Sequence, residues 1–517
     1  MATKKDICTV DKVESLMGDD NVLVNVDGSL GQISMADLVK SADPVRIESL
    51  EVLEADTDPA EVWIEVIDAE GKPKKIRYSV LPAASESEVA YGVERASWLL
   101  ESTELTRVGN MELHRTLPVQ SLMRGCLLDD NGKVLQYLPD RSWEGVDRSG
   151  ASGQVMVEIP GFYYKVKRVG VLRQLWMSLY PIDGYTYSPK MYVSAYQASL
   201  DRTNLLLSSV VNMTEQFRGG TNKGEYDDTD HSLLGCAATG ISRTNFRSYA
   251  RKRKAGSTEW NIMTYDMQRV LYMMFVVEYA TLNSQKDVNT ALTAEGYRQG
   301  GLGAGVNNLK DYASWTAWNG NNPFIKNGYT DSLGNGSGEI AYTMPDSYTE
   351  AAGASLVVKV NRYRGVEMPF RHIYIFCDGY NIMVSAELEN GGEGTSMAYV
   401  CSDPAKFSDT GNDGYRYVGN VPRVSGYVTA IACGDFYDIV PIVTTEIAKT
   451  GGTSVYYCDY FYTMLPTSGT ALRAPMLGGY ANNGSACGFV SVAPSYAPSS
   501  TSASLGSRLC FIPKHAA

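Results

Sequence analysis

Between Arg473 and Arg508 the chain carries no charged side chain. The stretch from Leu477 to Phe511, LGGYANNGSACGFVSVAPSYAPSSTSASLGSRLCF, is mostly Ser, Ala, Pro, Gly and Asn, with Tyr480, Phe489 and Tyr496 spaced through it. By composition it is a linker or disordered tail, too poor in apolar surface to offset the entropy of ordering. Yet it opens on Gly478-Gly479 and closes on GSRLCFIP, which reads as a β-strand. A tail rarely ends on an ordered strand, so the linker reading meets a difficulty within the sequence itself.

At 517 residues the chain exceeds one ordinary core, and two to four domains are expected. The 49 glycines imply many turns, and 34 tyrosines against 12 phenylalanines imply much amphipathic aromatic surface. A net charge of −12 argues against nucleic acid or an anionic membrane as main partner. The longest apolar run, VLYMMFVV, falls far short of the roughly 20 residues of a membrane span. The N-terminal MATKKDICTV has no apolar segment behind its lysines, so no signal peptide is expected. Nine scattered cysteines without a C-x-x-C pair read as reduced core residues.

The texture changes near residue 105. Before it, NVLVNVDGSLGQISM predicts a hairpin about Asp27-Gly28, and EVWIEVIDAEGKPKKIRYSV predicts a second strand pair. Residues 84–103 then read as a helical connector whose start is marked by Ser85 and the acids after it. Residues 1–104 are therefore expected to be a β-rich attachment or oligomerisation region. Beyond it, TYDMQRVLYMMFVVEYATLNSQ predicts a helix over 264–285, with Met267, Val270, Leu271, Met274 and Phe275 on one apolar face. A shorter helix is expected over 242–254. Strands are suggested by SGQVMVEIPGFYYKVKRV, ASLVVKVNRY, FRHIYIFCDGYNIMVS and LCFIP. Two helices among short strands and long loops make an α+β pattern, and ordered long loops generally carry binding.

Catalytic machinery is hard to find. The four histidines (His114, His231, His372, His515) are far apart, and no Cys/His spacing suits a metal. RQGGLGAGVNN lacks both the third glycine and the βαβ setting of a dinucleotide site and reads as a loop. RSYARKRK, residues 247–254, reads as a solvated basic helix face. Asp230, His231 and Ser232 are adjacent, whereas members of a triad converge in space. No catalytic residue, cofactor or metal is expected.

The segments LGGYANNGSACGF…LGSRLCF, VQSLMRGCLLDDNGKV, GQVMVEIPGFYYKV, VEYATLNSQ, YRQGGLGAGV and YRGVEMPFRHIYIFCDGYNI carry a resemblance to the variable proteins of diversity-generating retroelements. The resemblance covers roughly residues 105–517. It implies a C-type-lectin-like domain of the kind shared with formylglycine-generating enzymes, with a variable region at about 477–511. In that family template adenines are randomised, mostly in AAC codons, which then cannot encode Lys, Glu, Gln, Met or Trp. None of these five lies between Tyr480 and Ser507; a polar linker fits that absence too.

The resemblance further implies a phage tail-fibre tip protein, carried in the virion and made in the host cytoplasm. Its expected partners are a host surface receptor, protein or glycan, and other fibre proteins, with the chain a homotrimer. The displayed, ligand-binding residues are expected to be Tyr480, Ala481, Asn482, Ala486, Phe489, Ser491, Ala493, Ser495, Tyr496, Pro498, Ser500 and Ser502, like the Tyr and small residues of antibody loops. Phe489 fits a core position equally well. Gly478, Gly479, Gly488 and Gly506 are expected to frame the loop, and Arg508 to tie the returning strand to acidic or carbonyl groups. A bacterial surface or pilus-tip adhesin is the alternative, but would need an export signal. A formylglycine-generating-type enzyme would need a close cysteine pair, and Cys487 and Cys510 are far apart.

Overall fold

The computed structural model describes the backbone of five strands between residues 11 and 77, and residues 85–95, 103–220, 224–309, 319–345, 356–388, 392–443 and 450–514. One of the nine cysteines, Cys8, and one of the four histidines, His515, lie outside these residues. Strands greatly outnumber helices, so the fold is mixed and mainly β.

Both N-terminal strand pairs form. Asn21–Val26 runs antiparallel to Ser29–Ser34 with Val26 opposite Ser29, as the Asp27-Gly28 dipeptide predicts. Trp63–Ile67 pairs with Pro73–Arg77 in the same five-stranded sheet.

The connector differs from its expected form. Ser85 does cap a helix, with Glu88 returning the capping-box contact, but that helix is the single turn Glu86–Val89. Ala90–Arg95 is a strand, paired with Leu172–Ser178 on one side and Thr106–Gly109 on the other. Tyr91 and Val93 are buried in the largest core cluster. Burial against long-range partners overrode the helical propensity of this segment. Ala90–Arg95 thus shares a sheet with Leu172–Ser178.

The long helix is Tyr265–Tyr279, started by the Thr264 side chain accepting from the Met267 N–H and stopped at Ala280 in the left-handed conformation. It is shorter than expected, and every residue but Asp266 is buried, so it has no solvated face. Sheets surround it: its contacts include the strands Ala90–Arg95, Leu172–Ser178 and Gly488–Ala493. A helix covered all round needs no amphipathic pattern.

The second helix, Arg243–Arg251, corrects the reading of RSYARKRK as a solvated face. Arg243 and Arg247 are buried. Arg247 forks onto Asp378, and both arginines reach Asp409. Burial alone would raise the Asp409 carboxyl, but Arg243 and Arg247 hold it down to about 2, against 3.8 for a free aspartate. A folded-state pKa below the unfolded one adds stability that is complete above pH about 4 and lost as pH falls toward about 2. Asp409→Asn is accordingly expected to lower the melting midpoint at pH 7 and to flatten its decline across that acid window. Parallel acid slopes for the two proteins would refute the assignment.

All eight described cysteines are free, and seven of them are buried. Burial pushes the Cys487 and Cys510 thiols up.

Candidate binding surface

The charge-free stretch is folded into two sheets. Met476–Gly478 pairs with Tyr374–Phe376 and with Gly488–Ala493. After the loop, Leu505–Gly506 lies parallel to Tyr374–Phe376. Leu509–Phe511 then enters a different six-stranded sheet, between Met191–Ser194 and Trp260–Ile262. The intervening loop is tied to the body through its carbonyls: Tyr496 O accepts from Ala474 N at 2.9 Å, Pro498 O from Arg243 N at 3.0 Å and Ser502 O from Gly240 N at 2.9 Å.

The glycine frame has physical causes. Gly479 sits at φ +71°, and a Cβ there would stand 2.5 Å from Cys487 Sγ. Gly488, at φ +137°, leaves room for the buried Asp459 carboxyl, which a Cβ would strike. That carboxyl accepts the Val490 N–H at 2.7 Å, and burial drives its pKa well above the ordinary aspartate value. Gly478 lies at φ +81°, whereas Gly506 is required by crowding alone, its Cβ falling 2.9 Å from Ile373. Arg508 is fully buried and donates to the carbonyls of Ser194 at 3.1 Å, Met368 at 2.6 Å and Glu367. The expected tie is to carbonyls.

The residues expected on display separate into two sets. Asn482 and Tyr496 are exposed; Tyr480, Ser495, Ser500 and Ser502 are half-buried. Ala481, Ala486, Phe489, Ser491, Ala493 and Pro498 are buried, which corrects their placement on the free surface. For Phe489, Ser491 and Ala493 the cause is the position of Gly488–Ala493, an inner strand buried along its whole length. Phe489 packs among Tyr272, Phe275, Tyr363 and Phe370, with ring centroids 5.7–6.1 Å away. It is core.

What remains accessible is extended by tyrosines from elsewhere. Tyr480 stacks on Tyr374 at 4.9 Å, and Asn482 donates to the Tyr480 hydroxyl at 3.3 Å. Asn483 donates to the Tyr462 hydroxyl at 3.1 Å. Tyr462 packs on Tyr460 at 4.6 Å, and Tyr460 on Tyr427 at 5.0 Å. Tyr427, Tyr460, Tyr462 and Tyr480 are all half-buried, each with a ring partly packed and partly open to solvent. Burial lifts the Tyr462 hydroxyl to about 12, so it stays a neutral donor and acceptor at physiological pH. The result is a set of linked aromatic and amide side chains, none of which carries a formal charge. Tyr427, Tyr460 and Tyr462 were missed from sequence; the excess of tyrosine and the segment YYCDYFYTM were the available signals.

The titratable groups considered for chemistry are dispersed. His372 is buried between Gln197 and the Pro323 carbonyl, and His114 is buried with Nε2 against the Val108 carbonyl. Burial takes both down to about 4. His231 pairs with Asp228 at 2.8 Å. Among the described residues no three His, Cys, Asp or Glu side chains are placed to hold a metal, and no helix is long and apolar enough to cross a membrane. Compared with protein-family models and with curated proteins, the chain matches none.

Proposed function

We propose that this chain is a receptor-binding protein of the phage tail-fibre-tip type, in which a C-type-lectin-like domain presents a variable surface to a host-cell ligand. The observation that carries the reading is the charge-free stretch itself. It is threaded through two sheets, fixed by Gly479, Gly488 and Arg508, and still leaves Tyr480, Asn482 and Tyr496 accessible. A fixed backbone with changeable outer side chains is what a diversified binding site requires. Tyrosine supplies large contact area with few rotamers to immobilise, and neighbouring amides and hydroxyls supply adaptable hydrogen bonds. Tyr462, Tyr460 and Tyr427 then serve as a constant aromatic border to the variable part.

The test pairs folding with binding. Labelled protein is applied to a panel of bacterial strains, and strains that bind are used to score variants. Tyr480→Ala and Tyr462→Ala are expected to weaken cell binding about tenfold or more, as aromatic anchors do, with secondary structure unchanged. Replacing Asn482 and Tyr496 together by other small or aromatic residues should leave stability within about 1 kcal/mol, as surface changes do, while altering strain preference. Wild-type binding by all these variants would place the receptor site elsewhere on the molecule.

Assembly is a separate expectation. A tail-fibre tip is threefold, and multivalency lets weak single sites bind well together. The purified chain is expected to scatter light as a trimer; a monomer at micromolar concentration would count against the fibre-tip assignment.

A further inference from the structure

The four-stranded sheet of Arg416–Asn420, Ser396–Val400, Tyr380–Ser385 and Thr470–Arg473 has two unlike faces. Ile382, Val384, Ala398 and Val400 are buried on the inner one. An antiparallel sheet whose other face meets water carries polar residues at the alternate positions. Here those positions hold Met383, Met397, Tyr399, Tyr417 and Leu472. The register sets Leu472, Met383 and Met397 side by side across three strands, with Tyr399 opposite Tyr417. The Tyr399 and Tyr417 rings lie 5.6 Å apart, and the Tyr399 hydroxyl donates to Met397 Sδ at 3.6 Å. Tyr417 is 50% exposed and the other four are half-buried.

Apolar side chains continue at the margin of the sheet. Arg423 donates to the carbonyls of Ser385 at 3.0 Å and Thr395 at 2.9 Å, which fixes the next residue, Val424, at the sheet's end, 79% exposed. Arg473 Nη2 donates to the Met464 carbonyl at 3.1 Å, and Met464 is 53% exposed beside that edge strand. The other accessible outward positions, Ser385, Asn420 and Thr470, are uncharged. An exposed apolar cluster of this kind marks a contact surface. Enrichment in Met and Tyr with depletion of Lys, Glu and Asp is also the composition of interface cores. Charge narrows the choice of partner. The chain carries a net charge of −12, so two copies repel wherever their acidic surfaces meet. Contact between copies is tolerated where neither presents a charge, and this face meets that condition. A basic partner would find no acid on it with which to pair.

We propose that this face packs against its counterpart on a second copy of the chain. The inference rests on the assembly expected of a fibre-tip protein and names the surface through which that assembly forms. It also bears on binding. Ala474, two residues past Leu472, donates to the Tyr496 carbonyl at 2.9 Å. Association through this sheet thus brings the Tyr496 loops of neighbouring copies toward one another, the arrangement that multivalent binding needs.

The experiment follows the full chain by sedimentation over a concentration series, with the melting midpoint recorded at each concentration. The unaltered chain is expected to associate, and its midpoint to rise with concentration, because association stabilises the folded state by mass action. Met397→Glu places a charge at the centre of the face and is expected to weaken association about tenfold or more. The midpoint of that variant should then no longer depend on concentration. Should Met397→Glu not fold, Tyr417→Glu carries the same test from a half-exposed position. An oligomer left intact by the substitutions would overturn this inference alone, and the threefold fibre-tip assignment would stand. A dimer split by them would uphold the surface and remove only the threefold arrangement. An unaltered chain that stays monomeric throughout would overturn both.

Discussion

Arg508→Ala is expected to lower folding stability by about 3–5 kcal/mol, from the lost hydrogen bonds of a charged donor and the void left by a large buried side chain. The side chain is fully buried, and its Nη groups serve carbonyls from two separate segments, Ser194 and the pair Glu367 and Met368. Met368 stands at φ +45°, so the Arg508 contacts also hold a turn that its own side chain disfavours. Alanine would leave these carbonyls short of donors and a void in their midst. Burial already draws the Arg508 pKa down to about 10, which marks how poorly solvated the site is. Arg508→Lys keeps a charge but cannot fork to two segments, so it should recover only part of the loss. The measurement is the denaturant midpoint, with the slope checked for constancy. A midpoint unmoved in the alanine variant would mean that Leu509–Phe511 stays paired without this anchor.

Phe489→Ala is the second large effect, about 3–5 kcal/mol for deleting a buried phenyl ring. Phe489 meets four aromatic rings, two of them on the central helix, so the loss opens a cavity at the junction of helix and sheet rather than at an edge. Tyr496→Ala, seven residues further along in an exposed position, should change stability by less than about 0.5 kcal/mol. The contrast between the two is diagnostic. Equal and small effects would make the whole stretch a surface loop; equal and large effects would make it all core.

The difference between those two aromatics was not legible in one dimension. Ser, Ala and Gly are the residues of linkers, and they are also the residues that fit where layers approach closely. Gly488 beside Asp459 and the fully buried Ser491 and Ala493 belong to the second case. Nothing local distinguishes them from Ser500 or Ser502. Local signals were read well where the cause is local: the Asp27-Gly28 hairpin, the Ser85 helix start and the strand ending at Val169. They failed where the partner is distant. The acids that neutralise Arg243 and Arg247 lie more than a hundred residues away at Asp378 and Asp409. The apolar side chains that turn Ala90–Arg95 into a strand come from beyond residue 105. The tyrosine surface was half legible, since the stretch contributed Tyr480 while Tyr427, Tyr460 and Tyr462 arrive by sheet pairing.

The pairing of Phe511 with both Tyr192 and Trp260 has a bearing on synthesis. A ribosome releases Met191–Ser194 and Trp260–Ile262 long before it makes the strand that sits between them. Until residues 509–511 emerge, both strands stand with an open hydrogen-bonding edge, the geometry that invites pairing with another chain. A nascent chain of this kind cannot seal itself segment by segment, and closure over so long a separation is slow. Translation that stops short of Leu509 would therefore yield a chain with two unsealed edges, prone to aggregate rather than to fold as a trimmed version of the same molecule.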